Sequence, residues 1–320
     1  MTTRSRPHRL LLTACATAAF LAGCVSLTPY ESIVAELPPE TLLEIDGHRV
    51  YFEDHGRGDA VVLVHGFGSS TYSWRDVIAE LAHDYRVISL DLNGFGFTER
   101  PESKEAYTRF AQGELVLRVA DALELERFHL VGHSYGGAVG AALAVRSPER
   151  ILSLTLLNAA GPIYPQLRRS KLASFKPLTS AFVRTKSLRR GNVERALKRS
   201  LANDELATDE LVEEYHRRLA IEGASTAFWG LTVPIEDPQA GVELAELTVP
   251  TLALWGAEDI LIPVPFAQQE ASEIEHHRFV LIDGAGHAPM EDRPHEVVAA
   301  LRTFFSSGLG AFDSRHFGDS

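Results

Sequence analysis

A serine flanked by glycines lies where an apolar strand meets a helix. Ser134 stands in GHSYGG, after the apolar run FHLV and before the alanine-rich stretch AVGAALAV. In a Gly-x-Ser-x-Gly turn of this kind, a strained backbone lifts the serine hydroxyl above the edge of the sheet. Gly132, Gly136 and Gly137 leave room where the strand and helix backbones approach each other. The pattern predicts that Ser134 is a nucleophile.

A serine hydroxyl needs a base, and the base needs a carboxylate to orient it. Among 13 histidines, His287 follows the last apolar strand in the glycine loop GAGH, far downstream of the serine. Asp259 in WGAED ends the preceding strand, which gives the chain order serine, aspartate, histidine. Glu258 is the adjacent alternative. Asn158 occupies the other position where an acid could lie, but an amide carries no negative charge.

Three further histidines are predicted not to act as the base. His133 adjoins Ser134, but we expect its side chain to point away from the nucleophile. We expect His65 to support its own loop and His295 to face solvent from a helix. The base is therefore assigned to His287.

The segment HGFG at 65–68 follows another apolar strand. We predict that the peptide N–H groups of Phe67 and Tyr135 converge on the oxyanion of a tetrahedral intermediate. Losing one such donor costs on the order of 10²–10³ in rate. The side chains of Phe67 and Tyr135 can also reach the pocket. This chemistry requires no metal and no organic cofactor.

Short apolar runs that lead into glycine-bearing loops must position these residues. Near-continuous apolar strands indicate a mostly parallel sheet that helices cover on both faces. Functional groups of such sheets gather on loops at the carboxyl ends of the strands. The dipeptide Asp46-Gly47 predicts a β-hairpin before the first of these apolar runs. The runs begin at residues 60, 85, 128, 151, 249 and 277.

Residues 162–246 lack a clear apolar strand and show helical patterns instead. We predict an inserted helical cap, with Phe175, Phe182, Phe228 and Trp229 as candidates for its core or for the pocket. Residues 168–199 hold eleven lysines and arginines against one acid, Glu194. This basic segment is either a solvated face or a surface for anionic lipid headgroups.

The first 24 residues have the features of an export signal. Arg4, Arg6 and Arg9 precede the mostly apolar run 10–22. That run is shorter than the roughly 20 residues that span a bilayer, and it suits the core of a signal peptide. Cleavage near Ala22 or Gly23 as an ordinary secretory signal is one possibility.

The segment LAGC at 21–24 resembles the lipobox of bacterial lipoproteins, which implies cleavage before Cys24 and acylation of that cysteine. Dual or triple acylation would anchor the chain stably to a membrane. The resemblance implies a location in the bacterial cell envelope. Because Val25 replaces the aspartate of the inner-membrane retention signal, the outer membrane is favoured if the cell has two membranes. The predicted segments are a signal peptide (1–23), a tether (24–40), a core (41–161 and 247–306), the cap (162–246) and a tail (307–320).

Composition excludes several classes of partner and site. A formal charge of −12 argues against nucleic acid as the main partner, because phosphate binding needs a basic surface. Cys15 and Cys24 are the two cysteines, so residues after 24 can form neither a disulfide nor a cysteine metal site. The sequence leaves the oligomeric state open.

Together the motifs VHGFG, DLNGFG, GHSYGG, WGAED and GAGH resemble the capped branch of the α/β-hydrolase superfamily over about residues 42–305. The one departure is Thr98, where many relatives have serine. The resemblance implies an α/β-hydrolase fold and hydrolysis of carboxylic esters, with a small molecule or a lipid as the substrate. Carbon–carbon bond hydrolysis and peracid chemistry remain open with the same triad, as does an inactive membrane-tethered binding protein.

Overall fold

A computed structural model describes residues 25–159, 183, 187–232 and 243–307, and these contain an eight-stranded sheet. The strand order is β1-β2-β4-β3-β5-β6-β7-β8, in which β2 pairs antiparallel with β1 and β4 and the remaining pairs are parallel. The predicted fold class is therefore confirmed. The strands are β1 (Leu42–Ile45), β2 (His48–Gly56), β3 (Ala60–Val64), β4 (Arg86–Leu90), β5 (Phe128–His133), β6 (Ile151–Leu157), β7 (Thr251–Gly256) and β8 (His277–Ile282).

Helices cover both faces of this sheet, as the apolar strands require. Every residue of β5 and of β7 is buried, which is typical of parallel strands packed on both faces. The predicted hairpin joins β1 and β2, and Asp46 and Gly47 both have positive φ, at 52° and 78°. The helices of the core are α2 (Arg75–Leu81), α3 (Arg109–Ala122), α4 (Tyr135–Arg146), α8 (Val264–Ala271), α9 (Pro289–Asp292) and α10 (Pro294–Ser307).

The insertion between β6 and β7 is helical where the structure describes it. It contains α5 (Arg190–Ser200), α6 (Asp209–Leu219) and α7 (Ala224–Thr232). Helix α6 docks on the core through Tyr215, whose hydroxyl donates to Glu291 at 2.7 Å. Buried Arg218 lies over the rings of Tyr72 and Phe97. The cap is thus joined to the core by polar contacts as well as by apolar packing.

Parts of the cap predictions lie outside the described residues. Phe175, Phe182 and most of the basic segment lie outside the described residues. Phe228 and Trp229 lie in α7. Within the described part of the basic segment, Arg190 pairs with Asp209 and Lys198 pairs with Glu194. Neighbouring acids therefore offset some of its charge.

Residues 25–37 differ from the predicted tether, because they pack against the folded body. Tyr30 and Ile33 of α1 (Tyr30–Val34) are buried with Tyr51, Phe97 and Ile221. Thr28 exchanges backbone hydrogen bonds of 2.8 Å with the cap at residues 220 and 222. The segment is polar in composition, but Tyr30 and Ile33 are three positions apart and form one buried face of the helix. Cys24 and the predicted signal peptide lie outside the described residues, and no helix among the described ones is long and apolar enough to cross a membrane.

Candidate active site

The turn between β5 and α4 holds Ser134 in a conformation that is uncommon for a non-glycine residue. Its φ is 49° and its ψ is −114°. A Cβ at Gly132 would lie 2.4 Å from the Gly136 oxygen, and one at Gly136 would lie 2.3 Å from the Val64 oxygen. Strand β5, strand β3 and helix α4 can approach this closely only because these positions carry no side chain. The glycines flanking the serine have the role predicted from the sequence.

The structure brings Ser134, His287 and Asp259 into one hydrogen-bonded row. The Ser134 hydroxyl lies 3.0 Å from His287 Nε2, and His287 Nδ1 lies 2.8 Å from Asp259 Oδ2. Because Nδ1 faces a carboxylate, it carries the proton, which leaves Nε2 free to accept one from the serine. A base is therefore in contact with the nucleophile and is itself oriented by an acid.

The surroundings of Asp259 keep its carboxylate ionised. Oδ1 accepts the backbone N–H groups of Leu261 and Ile262 at 2.7 and 2.9 Å. Burial raises the pKa of the Asp259 carboxyl, but the bonds from His287, Ile262 and Asn158 outweigh it, so that the pKa lies below its usual value. Glu258, the adjacent alternative, instead accepts the N–H of Gly284 at 3.1 Å. The acid in the row is Asp259.

Asn158 contacts the acid directly, a role that the sequence did not predict. Its Nδ2 donates to Asp259 Oδ2 at 2.7 Å and to the Gly286 carbonyl at 3.2 Å. Its φ of 43° lies in the left-handed region, which asparagine tolerates better than most residues. The signal in the sequence is an asparagine at the end of the strand beside the nucleophile strand, where relatives of this fold can carry an acid.

The loop that carries His287 is attached to the cap. The N–H of Ala288 donates to the Ser200 carbonyl at 3.0 Å. The Asp292 carboxylate accepts the N–H of Gly286 at 2.8 Å and that of Ala202 at 3.0 Å. These bonds tie the histidine loop, α9 and the segment after α5 together. The position of the base thus depends on contacts that cross from the core to the cap.

His133 does not contact the Ser134 hydroxyl but supports the loop of the base. Its Nε2 lies 2.7 Å from the His287 carbonyl oxygen and therefore carries a proton. Complete burial lowers the pKa of the His133 imidazole to about 3, so the ring is neutral. His295 is exposed and pairs with Glu80 at 2.6 Å.

His65 joins the HGFG loop to the loop after β4. Its Nδ1 donates to the Gly66 carbonyl at 2.8 Å, and its Nε2 accepts the N–H of Leu92 at 3.0 Å. In the same second loop, Asp91 accepts the N–H groups of Thr71 and Phe97 at 2.6 and 2.7 Å. The motif DLNGFG thus has a structural role that its sequence alone does not identify. Through the bond from Leu92 to His65, it holds the HGFG loop in place.

The HGFG loop lies against the nucleophile. A Cβ at Gly66 would be 3.2 Å from Ser134 Cβ, which places the start of the predicted oxyanion loop beside the serine. Tyr135 is the first residue of α4. The Phe67 ring is 48% exposed and meets Phe228 of the cap edge-to-face, with ring centroids 5.3 Å apart. An aromatic contact between core and cap thus borders the site.

Three similar proteins share most of the folded chain. The 2-hydroxymuconate semialdehyde hydrolase of Pseudomonas sp. (strain CF600) is 32% identical over 257 residues, which cover 75% of this chain and 84% of that protein. A thermophilic esterase from Thermogutta terrifontis has a TM-score of 0.67 and 28% identity, and the match covers 83% of this chain and 96% of that one. A membrane phospholipase A, described as a bacterial virulence factor, has a TM-score of 0.66 and 25% identity over 93% of this chain and 96% of that one.

The family model of the alpha/beta hydrolase fold matches residues 59–294. This range includes the serine turn, the acid and the histidine loop, and it extends over more than half of the chain. The chain therefore belongs to the alpha/beta hydrolase fold family, and it is a hydrolase.

Proposed function

We propose that the protein is a serine hydrolase that cleaves carboxylic esters through an acyl-enzyme on Ser134. One observation carries this proposal: the hydroxyl, the imidazole and the carboxylate lie in a single row at 3.0 and 2.8 Å. Such a row activates a serine that is otherwise a weak nucleophile. The substrate class is a small-molecule or lipid ester.

The residues of the site then have distinct tasks. His287 takes the proton of Ser134 as the oxygen attacks the ester carbonyl, and Asp259 stabilises the resulting imidazolium. The N–H groups of Phe67 and Tyr135 bind the oxyanion. The imidazolium gives its proton to the leaving alcohol. Water, deprotonated by His287, then attacks the acyl-enzyme, and the released acid and the free serine complete the cycle.

Among the similar proteins, the esterase and the membrane phospholipase A support the proposal that the substrate is an ester. The phospholipase match also covers a larger share of this chain than the esterase match does, 93% against 83%. Esters of lipids are therefore the subclass that we would test first. A panel of esters graded by acyl length measures the preference.

A carbon–carbon bond hydrolase is the second candidate, favoured by the 32% identity to a 2-hydroxymuconate semialdehyde hydrolase. The same triad would have to support cleavage of a vinylogous diketone in place of an ester. Comparing kcat/KM for both substrate classes decides between them. A preference for the diketone of roughly tenfold or more, about 1.4 kcal/mol of transition-state binding, would replace the ester proposal.

The first test of the mechanism is Ser134→Ala. We expect this variant to lose turnover of a short p-nitrophenyl ester and to keep its melting temperature within a few degrees of the native value. A fluorophosphonate should label the native chain at Ser134, as read by intact mass, and should leave the variant unlabelled. Substantial turnover by Ser134→Ala would reject the mechanism. A native chain that is not labelled would favour an inactive binding protein.

We further propose that Cys24 is acylated and anchors the enzyme in the bacterial cell envelope. The lipobox-like segment LAGC supports this, and so does the similarity to a membrane phospholipase A. The test expresses native and Cys24→Ala chains and measures the mass of the mature N-terminus and the partition between membrane and soluble fractions. A native chain of unmodified mass in the soluble fraction would contradict the anchor.

A further inference from the structure

Asn158 joins the two segments that carry the acid and the base of the triad. Besides its two donated bonds to Asp259 and Gly286, its Oδ1 accepts the N–H of Gly256 at 3.0 Å. Gly256 ends β7 and precedes the turn that carries the acid, and Gly286 immediately precedes the base. The side chain is completely buried. Asn158 thus lies at the junction of the acid turn and the histidine loop.

A primary amide is the side chain whose chemistry matches these partners. The group facing Asp259 and Gly286 must donate twice, and the group facing the Gly256 N–H must accept. This requirement fixes which way the amide is oriented. A carboxylate would place a second negative charge beside Asp259. A leucine of similar size would leave the Gly256 N–H and the Gly286 carbonyl unpaired and buried, which is costly.

Asn158 and His287 donate to the same oxygen, Oδ2 of Asp259, at 2.7 and 2.8 Å. Oδ1 is occupied by the two backbone N–H groups of the following turn. The bond from Asn158 draws electron density from Oδ2, and this makes Asp259 a weaker base towards the proton on His287 Nδ1. The bond to Gly286 sets the distance between the acid turn and the histidine loop.

We propose that Asn158 is a positioning residue of the catalytic triad: it keeps Asp259 a carboxylate and holds the His287 loop at hydrogen-bonding distance from it. The inference rests on the proposed function, because it assigns the residue a role in the same triad. The geometry of the triad then depends on a fourth side chain, which follows strand β6.

Asn158→Asp gives the sharpest test, because it replaces an amide by a carboxyl group of nearly the same shape. The new carboxyl group and that of Asp259 would share one proton at neutral pH, as two adjacent carboxylates do. When that proton leaves at higher pH, the two charges repel each other and the row opens. We therefore expect the kcat/KM profile of the full chain to gain a new alkaline limb, with its acid side unchanged.

Asn158→Leu removes both donors without adding charge. We expect kcat to fall by about 10-fold to 100-fold, the loss typical of one hydrogen bond to a charged group, with KM little changed and without the new alkaline limb. Asn158→Ser keeps one small donor and is used if either of the other variants does not fold. It should retain more kcat than the leucine variant.

The matched control is Asn93→Asp, since Asn93 is also a buried amide and donates to the Ala106 carbonyl at 3.2 Å. We expect it to lower the melting temperature and to leave the shape of the pH profile unchanged. If Asn158→Asp showed the native profile shape, or if Asn158→Leu kept native kcat, Asn158 would only stabilise the fold and the proposal would be overturned.

A second measurement separates this inference from the ester proposal. The proton NMR resonance of His287 Nδ1 reports on the contact with Asp259 without any turnover. In Asn158→Asp this resonance should shift or be lost at the new alkaline limb of the activity profile, because the contact with Asp259 opens there. A native chain that cleaves no ester would count against the proposed function, whereas a resonance that is the same in both chains across the alkaline limb would count against the role of Asn158.

Discussion

Two strained residues, Ser134 and Asn158, follow neighbouring parallel strands, with φ values of 49° and 43°. Such conformations cost on the order of 1–3 kcal/mol each and persist where the surroundings enforce them. Here the sheet itself enforces them. The N–H of Ser134 donates to the Leu157 carbonyl and that of Asn158 to the Leu254 carbonyl, both at 3.0 Å. The strand ladder thus continues through the strained residues and holds each one in place.

At the same scale, Gly66→Ala tests how close the HGFG loop must lie to the nucleophile. The new Cβ would lie 2.7 Å from His133 Nδ1 and 3.2 Å from Ser134 Cβ, so the loop must move. We expect kcat to fall by about tenfold or more, because a displaced peptide N–H no longer meets the oxyanion. Steady-state kinetics on a short p-nitrophenyl ester measures this.

The control for that variant is Gly191→Ala, where a Cβ meets nothing within 4 Å. It should keep native kcat, and alanine should suit helix α5 at least as well as glycine does. Native kcat in Gly66→Ala would show that the loop does not supply an oxyanion donor.

At the scale of elements, the site lies where the loops at the carboxyl ends of β3 to β8 meet, and the sequence predicts the loops in which a glycine motif follows an apolar strand. Buried strands and glycine turns are local signals, so Ser134, His287 and Asp259 could be identified without the structure. Contacts that cross between loops have no local signal. The bond of Asn158 to the histidine loop, and that of Asp91 to Thr71, depend on which strand ends become neighbours.

Helix α9 offers a prediction about how the cap and the base are joined. In Asp292→Ala, the N–H groups of Gly286 and Ala202 lose their shared acceptor. We expect kcat to fall by about 10-fold, since the loop of His287 is then held less firmly, and a lost bond to a charged group is worth about 1.5–3 kcal/mol. Kinetics and thermal melting measured together test this.

Asp292→Asn keeps one acceptor oxygen and should recover part of kcat. Asp283→Ala, an exposed change in the loop just before His287, serves as the matched control and should resemble the native chain. Equal kcat in Asp292→Ala and the native chain would mean that the cap contacts do not position the base.

At the scale of the whole molecule, the N-terminal segment connects regions far apart in the sequence. Arg49 of strand β2 lies over the Tyr30 ring at 4.9 Å and pairs with Glu31. The backbone of Thr28 joins the cap between α6 and α7. A five-residue helix with two buried side chains shows too little periodicity to be distinguished from a polar linker. This is why the sequence predicts a tether at residues that form a packed segment in the structure. We call residues 25–37 the strap, because they contact both the core and the cap.

Truncation decides whether this strap stabilises the fold. A chain that begins at residue 25 should melt at nearly the temperature of the full chain. A chain that begins at residue 38 loses buried Tyr30 and Ile33 and exposes part of Tyr51, Phe97 and Ile221. Burial of one large apolar side chain contributes about 1.5–3 kcal/mol, so we expect the shorter chain to melt several degrees lower.

Ile33→Ser in the chain that begins at residue 25 should account for part of that difference without removing any backbone contact. Exposed Ser32→Ala, the neighbouring position, should have almost no effect on the melting temperature. Because the strap also pairs with the cap, the shorter chain should show a raised KM together with its lower melting temperature. Equal melting temperatures for the two truncated chains would mean that residues 25–37 contribute nothing to folding, and the segment would then be a tether after all.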